Sequence, residues 1–294
     1  MNMKNKTKKS AVILFWVLGI TLAIYTVSLL TPLVWGILTS LRSRNDWQLN
    51  GEFALPATWE FVNYASVWKF FVVNIQAGAT TRNVYLPEML LNSVTYSVGM
   101  GILSTFSPCL VAYLCAKFPY KFSRFMYGMV VVLMVIPIVG NMPSLLMIVK
   151  TLGIYDTYFG MMCMKFTFAN TYFIIFYSTF KGLADGYAEA ARIDGASETT
   201  IMFRIMFPLV APTIMAIFLL KMIAMWNDYM TSLIYFPSHP TAALGLLIYN
   251  QNNRVSSVPE KLAGATTVIV PLLIVYLSFK KYLMGNLTMG GLKG

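Results

Sequence analysis

The chain has 294 residues, of which 57% are hydrophobic and 11% charged, with a mean hydropathy of +0.66. Soluble domains carry about 25% charged residues, so this composition excludes an ordinary soluble globular protein and identifies a membrane protein. The net charge of +11, which in a soluble protein would point to nucleic acid, is read here as an asymmetry between loops, and no nucleic-acid partner is expected.

A bilayer core of about 30 Å needs about 20 apolar residues in helical form. Four uncharged intervals meet that need: 10–41, 89–116, 125–149 and 262–279. Two more are interrupted, 157–180 by Lys165 and 208–236 by Lys221 and Asp228. The expectation is an all-α polytopic membrane protein with six transmembrane helices. A β-barrel is excluded because its strands alternate apolar and polar residues, whereas these runs are continuously apolar. The first interval follows Lys4, Lys6, Lys8 and Lys9, but its 32 uncharged residues far exceed the apolar core of a cleaved signal, so it reads as a retained span. Residues 1–87 then hold the N-terminus, the first span and an external segment. Residues 88–285 form a five-helix core containing a loop at 181–207, and 286–294 form a tail.

With the N-terminus inside, 13 loop or terminal cations fall on the inner side and seven on the outer, so both termini are expected to be cytoplasmic. In the outer segment 42–88, Trp47, Trp59, Tyr64 and Trp68 suit an interfacial belt or a docking surface. The connection 237–261 is also external, with a short apolar centre. Cys109, Cys115 and Cys163 fall within spans without C-x-x-C spacing and read as small buried apolar residues. His239, the only histidine, is too isolated for a metal set or a triad. No catalytic or metal-binding residues are expected.

Between the fourth and fifth spans the sequence reads "YAEAARIDGASETTIMFRIMFPLVAP". Ala188, Ala190 and Ala191 favour a helix, Asp194-Gly195 is a turn that ends it, Ser197 caps a second helix, and Pro208 fits the first turn of the next span. The product is a bent elbow, small enough in side chains for another protein to approach its backbone, with Glu189, Arg192 and Asp194 available for charged contacts. Taken alone it reads equally well as a solvated loop.

The run Glu189-Ala190-Ala191, then Gly195, then Ile205 and Pro208, resembles the EAA loop of the membrane subunits of bacterial ABC importers. Met225-Trp226-Asn227-Asp228-Tyr229, Trp59 to Tyr64, Asn92-Ser93 and the ending Gly285 to Gly294 are similar to segments of the maltose-transporter type of carbohydrate permease, smaller subunit. Asn286 adds one residue before Leu287-Thr288 relative to that family's tail. The resemblance implies the type I importer fold, location in the bacterial cytoplasmic membrane, and a sugar substrate. It also implies as partners a second permease subunit, two ATPase subunits and an extracytoplasmic solute-binding protein. The ATPase-coupling residues would be Glu189, Ala190, Ala191, Asp194, Gly195, Ala196 and Pro208. The chain contains no Gly-Lys dipeptide, so it has no Walker phosphate loop, needs no cofactor of its own and leaves ATP and Mg²⁺ to its partners.

Each charge at the bilayer centre costs roughly 2.5–3.5 kcal/mol. Lys221 and Asp228 are expected on one face of the fifth helix. Trp226, Asn227 and Asp228 read either as lining of a sugar path or, for Asp228, as a tie to Lys165 or Lys221. An ion-coupled carrier would need carboxylates in several spans, and a membrane enzyme a catalytic cluster; Asp228 is the only carboxylate in any span. An importer permease for a non-sugar solute is the other alternative.

Overall fold

The computed structural model describes residues 3–77, 80–118, 120–136, 140–252 and 257–287; of the expected tail at 286–294, residues 288–294 lie outside them. Fourteen helices and one hairpin follow in chain order among the described residues. They are α1 (Met3–Ser40), α2 (Arg44–Asn50), α3 (Val62–Phe70), β1 (Val72–Ala77), β2 (Thr80–Tyr85), α4 (Leu86–Lys117), α5 (Lys121–Val135), α6 (Met142–Thr151) and α7 (Tyr158–Lys165). Then come α8 (Thr171–Lys181), α9 (Gly186–Ile193), α10 (Glu198–Ile201), a π turn (Met202–Met206), α11 (Phe207–Trp226), α12 (Tyr229–Tyr235), α13 (Ala242–Gln251) and α14 (Val258–Leu287). The fold is a polytopic helical membrane fold. The chain divides into two compact units, Met1–Phe71 with Tyr249–Thr267, and Val72–Ile248 with Val268–Gly294.

Four of the six expected spans coincide with helical stretches long and apolar enough to cross a bilayer, Val12–Ser40, Leu86–Lys117, Glu198–Trp226 and Val258–Lys280; the third of these starts in α10 and ends at Trp226, so the expected 208–236 breaks before α12. The other two are each split. In 125–149, Ile136 precedes Pro137 and is extended (ψ 114°), because the proline ring excludes the helical region for the residue before it. In 157–180 the chain leaves the helix between α7 and α8. There Ser107 of α4 donates to the Thr167 carbonyl at 2.7 Å, and the Asn170 side chain accepts from the Tyr172 and Phe173 N–H groups. These bonds satisfy backbone groups that lipid could not. Cys109 and Cys115 are buried as expected, whereas Cys163 on α7 is exposed.

In the first unit, α1 is apolar all round and uncovered by its own chain (Ile13 64% and Val27 64% exposed), as a lipid-immersed helix should be. Its end is closed by a buried knot. Arg42, fully buried, donates to the Asp46 carboxylate at 2.6 Å and to the Asp46 and Gly51 carbonyls, and its guanidinium stands 5.2 Å from the Trp47 ring. Asn63 donates to the Ser40 and Arg42 carbonyls, and the Tyr64 and Ser40 hydroxyls share a hydrogen bond. The outer aromatics therefore divide: Tyr64 and Trp47 serve this knot, whereas Trp59 and Trp68 are more than half exposed. The α1 end is thus fastened by side chains from α2 and α3.

In the second unit, α4 is the central rod, packed along α11 and α8. A Cβ at Gly101 would come within 3.2 Å of the Phe218 ring and 3.6 Å of the Met222 Cα, so this glycine sets the close α4–α11 approach. The β1–β2 hairpin, absent from the all-helical expectation, pairs antiparallel from Val72 with Tyr85 to Ala77 with Thr80. It buries Val73, Ile75 and Val84, the alternation that β-branched residues favour. At one end of α4, Asn92 donates to the Pro240 carbonyl and the Ser93 hydroxyl accepts from the Ala242 N–H.

Hydrogen bonds from Arg42 and then Asn50 hold the Asp46 carboxyl below its ordinary range. Its contribution to stability is therefore full above the unfolded value of about 3.9 and is lost as pH falls through the lower folded value. Arg42→Met should lower the thermal midpoint of the purified protein clearly and flatten that acid dependence. Arg82→Ala, which opens the exposed Arg82–Glu88 pair, should cost no more than about 1 kcal/mol.

Candidate functional sites at the elbow and within the spans

Helix α9 ends in a Schellman turn. The Ala196 N–H bonds the Ala191 carbonyl at 2.9 Å, the Gly195 N–H bonds the Arg192 carbonyl at 3.0 Å, and Gly195 takes φ +80°. A Cβ at Gly195 would meet nothing within 4 Å, so backbone conformation and not space calls for glycine here. Ser197 then caps α10 by accepting from the Thr200 N–H. The π turn follows, with the Phe207 N–H bonding the Met202 carbonyl. It absorbs the missing N–H of Pro208, which stands in the first turn of α11. The bent elbow expected from the sequence is present.

Its faces differ from that expectation in two places. Glu189, Ala190, Asp194, Gly195 and Pro208 are exposed and Ala196 is half-buried. Ala191, expected on the accessible face, is only 8% exposed and packs with Ala188 against the core that includes Tyr113, Phe180, Ile201 and Met206. Ala188 and Ala191 are three residues apart and so share one helical face, turned away from Glu189 and Ala190, and that face is the one buried. Arg192, expected as a free contact, is bidentate to Glu198 at 2.6 and 3.2 Å across the bend. That bond holds the Glu198 carboxyl below its ordinary range and raises Arg192 above its own. Two features had no sequence signal. Ile193 is 86% exposed at the tip, and Lys117 at the end of α4 donates to the Leu183 carbonyl and the Asp185 carboxylate, both at 2.7 Å.

Within the spans, α11 stops at Trp226, and Asp228 is the N-cap of α12, accepting from the Thr231 N–H at 2.9 Å. Lys221 and Asp228 therefore do not share a helical face. The Asp228 carboxylate also accepts from the Tyr96 hydroxyl at 3.0 Å, from the Thr231 hydroxyl and from Lys165 Nζ at 3.3 Å. This is the tie to a neighbouring span, and Lys165 is its partner. Trp226 is 4% exposed and lines no open surface of this chain, because the helix turns it inward next to Met225. Asn227 is exposed and donates to the Ile223 carbonyl. Among the described residues no His, Cys, Asp or Glu group could hold a metal ion.

The model of the family of inner membrane components of binding-protein-dependent transport systems matches residues 109–285, from mid-α4 through the elbow and nearly to the end of α14. The chain belongs to this family. The permease is 28% identical over 293 residues to an arabinooligosaccharides transport system permease protein, AraQ, of Halalkalibacterium halodurans, covering 98% of this chain and 99% of that one. It is 26% identical to the diacetylchitobiose uptake system permease protein NgcG of Streptomyces coelicolor, covering 92% and 86%. A crystal structure of a bacterial ABC transporter involved in import of the acidic polysaccharide alginate contains a chain with the same fold, at a TM-score of 0.72 and 24% identity over 93% of this chain. The protein is a multi-pass membrane permease of the ABC importer class.

Asp228→Ala should destabilise the permease by on the order of 3 kcal/mol, since it removes the cap of α12 and leaves the half-buried Lys165 with only the Thr231 hydroxyl to bond among the described residues. Removing both charges in Lys165→Met/Asp228→Ala should recover part of that loss. Thermal unfolding of the detergent-purified complex reads both.

Proposed function

We propose that this permease forms half of the translocation path of an ATP-driven carbohydrate importer and that residues 187–208 couple it to separate ATPase subunits. The observation that carries this reading is a rigid exposed bend bolted to the central helix. The Schellman turn fixes its backbone, Ala188 and Ala191 anchor it in the core, and Lys117 fastens its approach to α4. A load applied at Glu189, Ala190 and Asp194 then passes into α4 and α11 without being absorbed by a loose loop. In this reading the elbow faces the cytoplasm, and the excess of loop cations favours the same side of the membrane for both termini. ATP and Mg²⁺ are bound by two partner ATPase subunits, a second permease completes the path, and an extracytoplasmic binding protein delivers the sugar.

The carbohydrate assignment rests on relatives that carry arabinooligosaccharides and diacetylchitobiose by name. An oligosaccharide is therefore the expected cargo. Asn227, exposed beside the Asp228 tie, is the residue of the Trp226–Asp228 group placed to meet it.

Glu189→Lys reverses an exposed charge that makes no ion pair among the described residues, so folding should be unaffected. In proteoliposomes containing the full complex, basal ATPase activity should persist while uptake falls by at least about tenfold, as expected when a coupling contact worth about 1.4 kcal/mol or more is lost. Undiminished uptake would refute the coupling role.

A further inference from the structure

All eleven acidic side chains lie among the described residues, and Asp228 is the only one within a span. It is already taken by Lys165, Thr231 and Tyr96. The second intramembrane cation, Lys221, lies close to the middle of 208–236 and is only half-buried. Its ammonium stands 4.6 Å from the centroid of the Tyr172 ring. Among the described residues it meets no carboxylate and no hydrogen-bond acceptor. The neighbouring start of α8 supplies none either, since Asn170 already binds the Tyr172 and Phe173 N–H groups and the helix end carries partial positive charge. Among the described residues the spans thus hold one cation more than they neutralise.

The surroundings argue against lipid at this place. Tyr172 follows the interruption between α7 and α8, where Phe166 and Thr167 are exposed. Lys165, just before that interruption, reaches Asp228 in the second interruption, between α11 and α12. Non-helical segments at membrane depth that their own chain leaves uncovered are tolerated only against partner protein or beside a water-filled cavity. An uncompensated ammonium beside two such breaks marks the same aqueous layer.

We propose that Lys221 is the charge-selecting residue of the translocation path and receives a carboxylate of the transported saccharide. The inference rests on the carbohydrate reading and deepens it: the cargo is an acidic oligosaccharide. Tyr172 holds the ammonium by its ring face without consuming its hydrogen-bond donors, so all three remain for the passing carboxylate. The Asp228 cluster, being internally satisfied, contributes structure and no net attraction.

The test uses the reconstituted complex with its solute-binding protein, a tri-uronate, and the neutral trisaccharide made by reducing the three carboxyl groups of that tri-uronate. Wild type should carry the acidic probe at least about tenfold faster, the discrimination expected when one probe leaves a polar group unpaired. Lys221→Met should abolish that preference and Lys221→Arg should keep it. Equal preference in wild type and Lys221→Met, or a wild-type preference for the neutral probe, overturns the proposal. It is also overturned if Lys221→Met fails to co-purify with the second permease while Lys221→Arg succeeds, which assigns the missing anion to the partner subunit. Transport of neither probe sinks the carbohydrate reading together with this one; transport without charge preference sinks this one alone.

Discussion

Water is absent from the bilayer core, so every backbone group and every charge placed there needs a partner from the protein. That constraint organises the second unit. Where the fourth span leaves the helix, Ser107 and Asn170 supply the missing bonds. Where the fifth leaves it, Asp228 caps the next helix and is itself held by Lys165, Tyr96 and Thr231. The interruptions persist because side chains from other elements complete them. Lys221 is the group that the chain leaves incomplete.

Helix α4 is the member to which these parts are attached. Near one end, Asn92 and Ser93 hold the backbone of residues 240–242. Gly101 lets α11 approach closely, and Ser107 steadies the break before α8. At the far end Lys117 grips the chain entering the elbow. One rod therefore touches the loop after α12, helix α11, the break before α8 and the elbow. Through α4 the elbow is thereby linked to the Asp228 cluster, by Lys117 at one end and Tyr96 nearer the other.

How far the residues reveal these features varies with the range of the force involved. The elbow was legible because its determinants are local: a left-handed glycine, a serine cap and a proline each act within a few residues. The exposed face of the elbow was not, since Ala190 and Ala191 are chemically identical and burial against Tyr113 and Phe180 separates them. The Arg192–Glu198 pair exists only once the bend brings residues six apart together. Likewise the Asn63-Tyr64 pair looks like an outer-surface motif until it is seen binding Ser40 and Arg42.

Composition and hydropathy alone determined that the chain is a helical membrane protein, because lipid imposes one rule on every span regardless of its neighbours. The residue order also determined the elbow and, having no Gly-Lys dipeptide, the lack of a Walker phosphate loop. Tertiary structure decided how the break in the fourth span is completed, that Asp228 answers to Lys165 and not to Lys221, and that α4 is the common support. Those outcomes depend on partners 60 or more residues away in the chain, as in Ser107 with Thr167 and Asp228 with Lys165. Periodicity within a segment carries no record of such pairings.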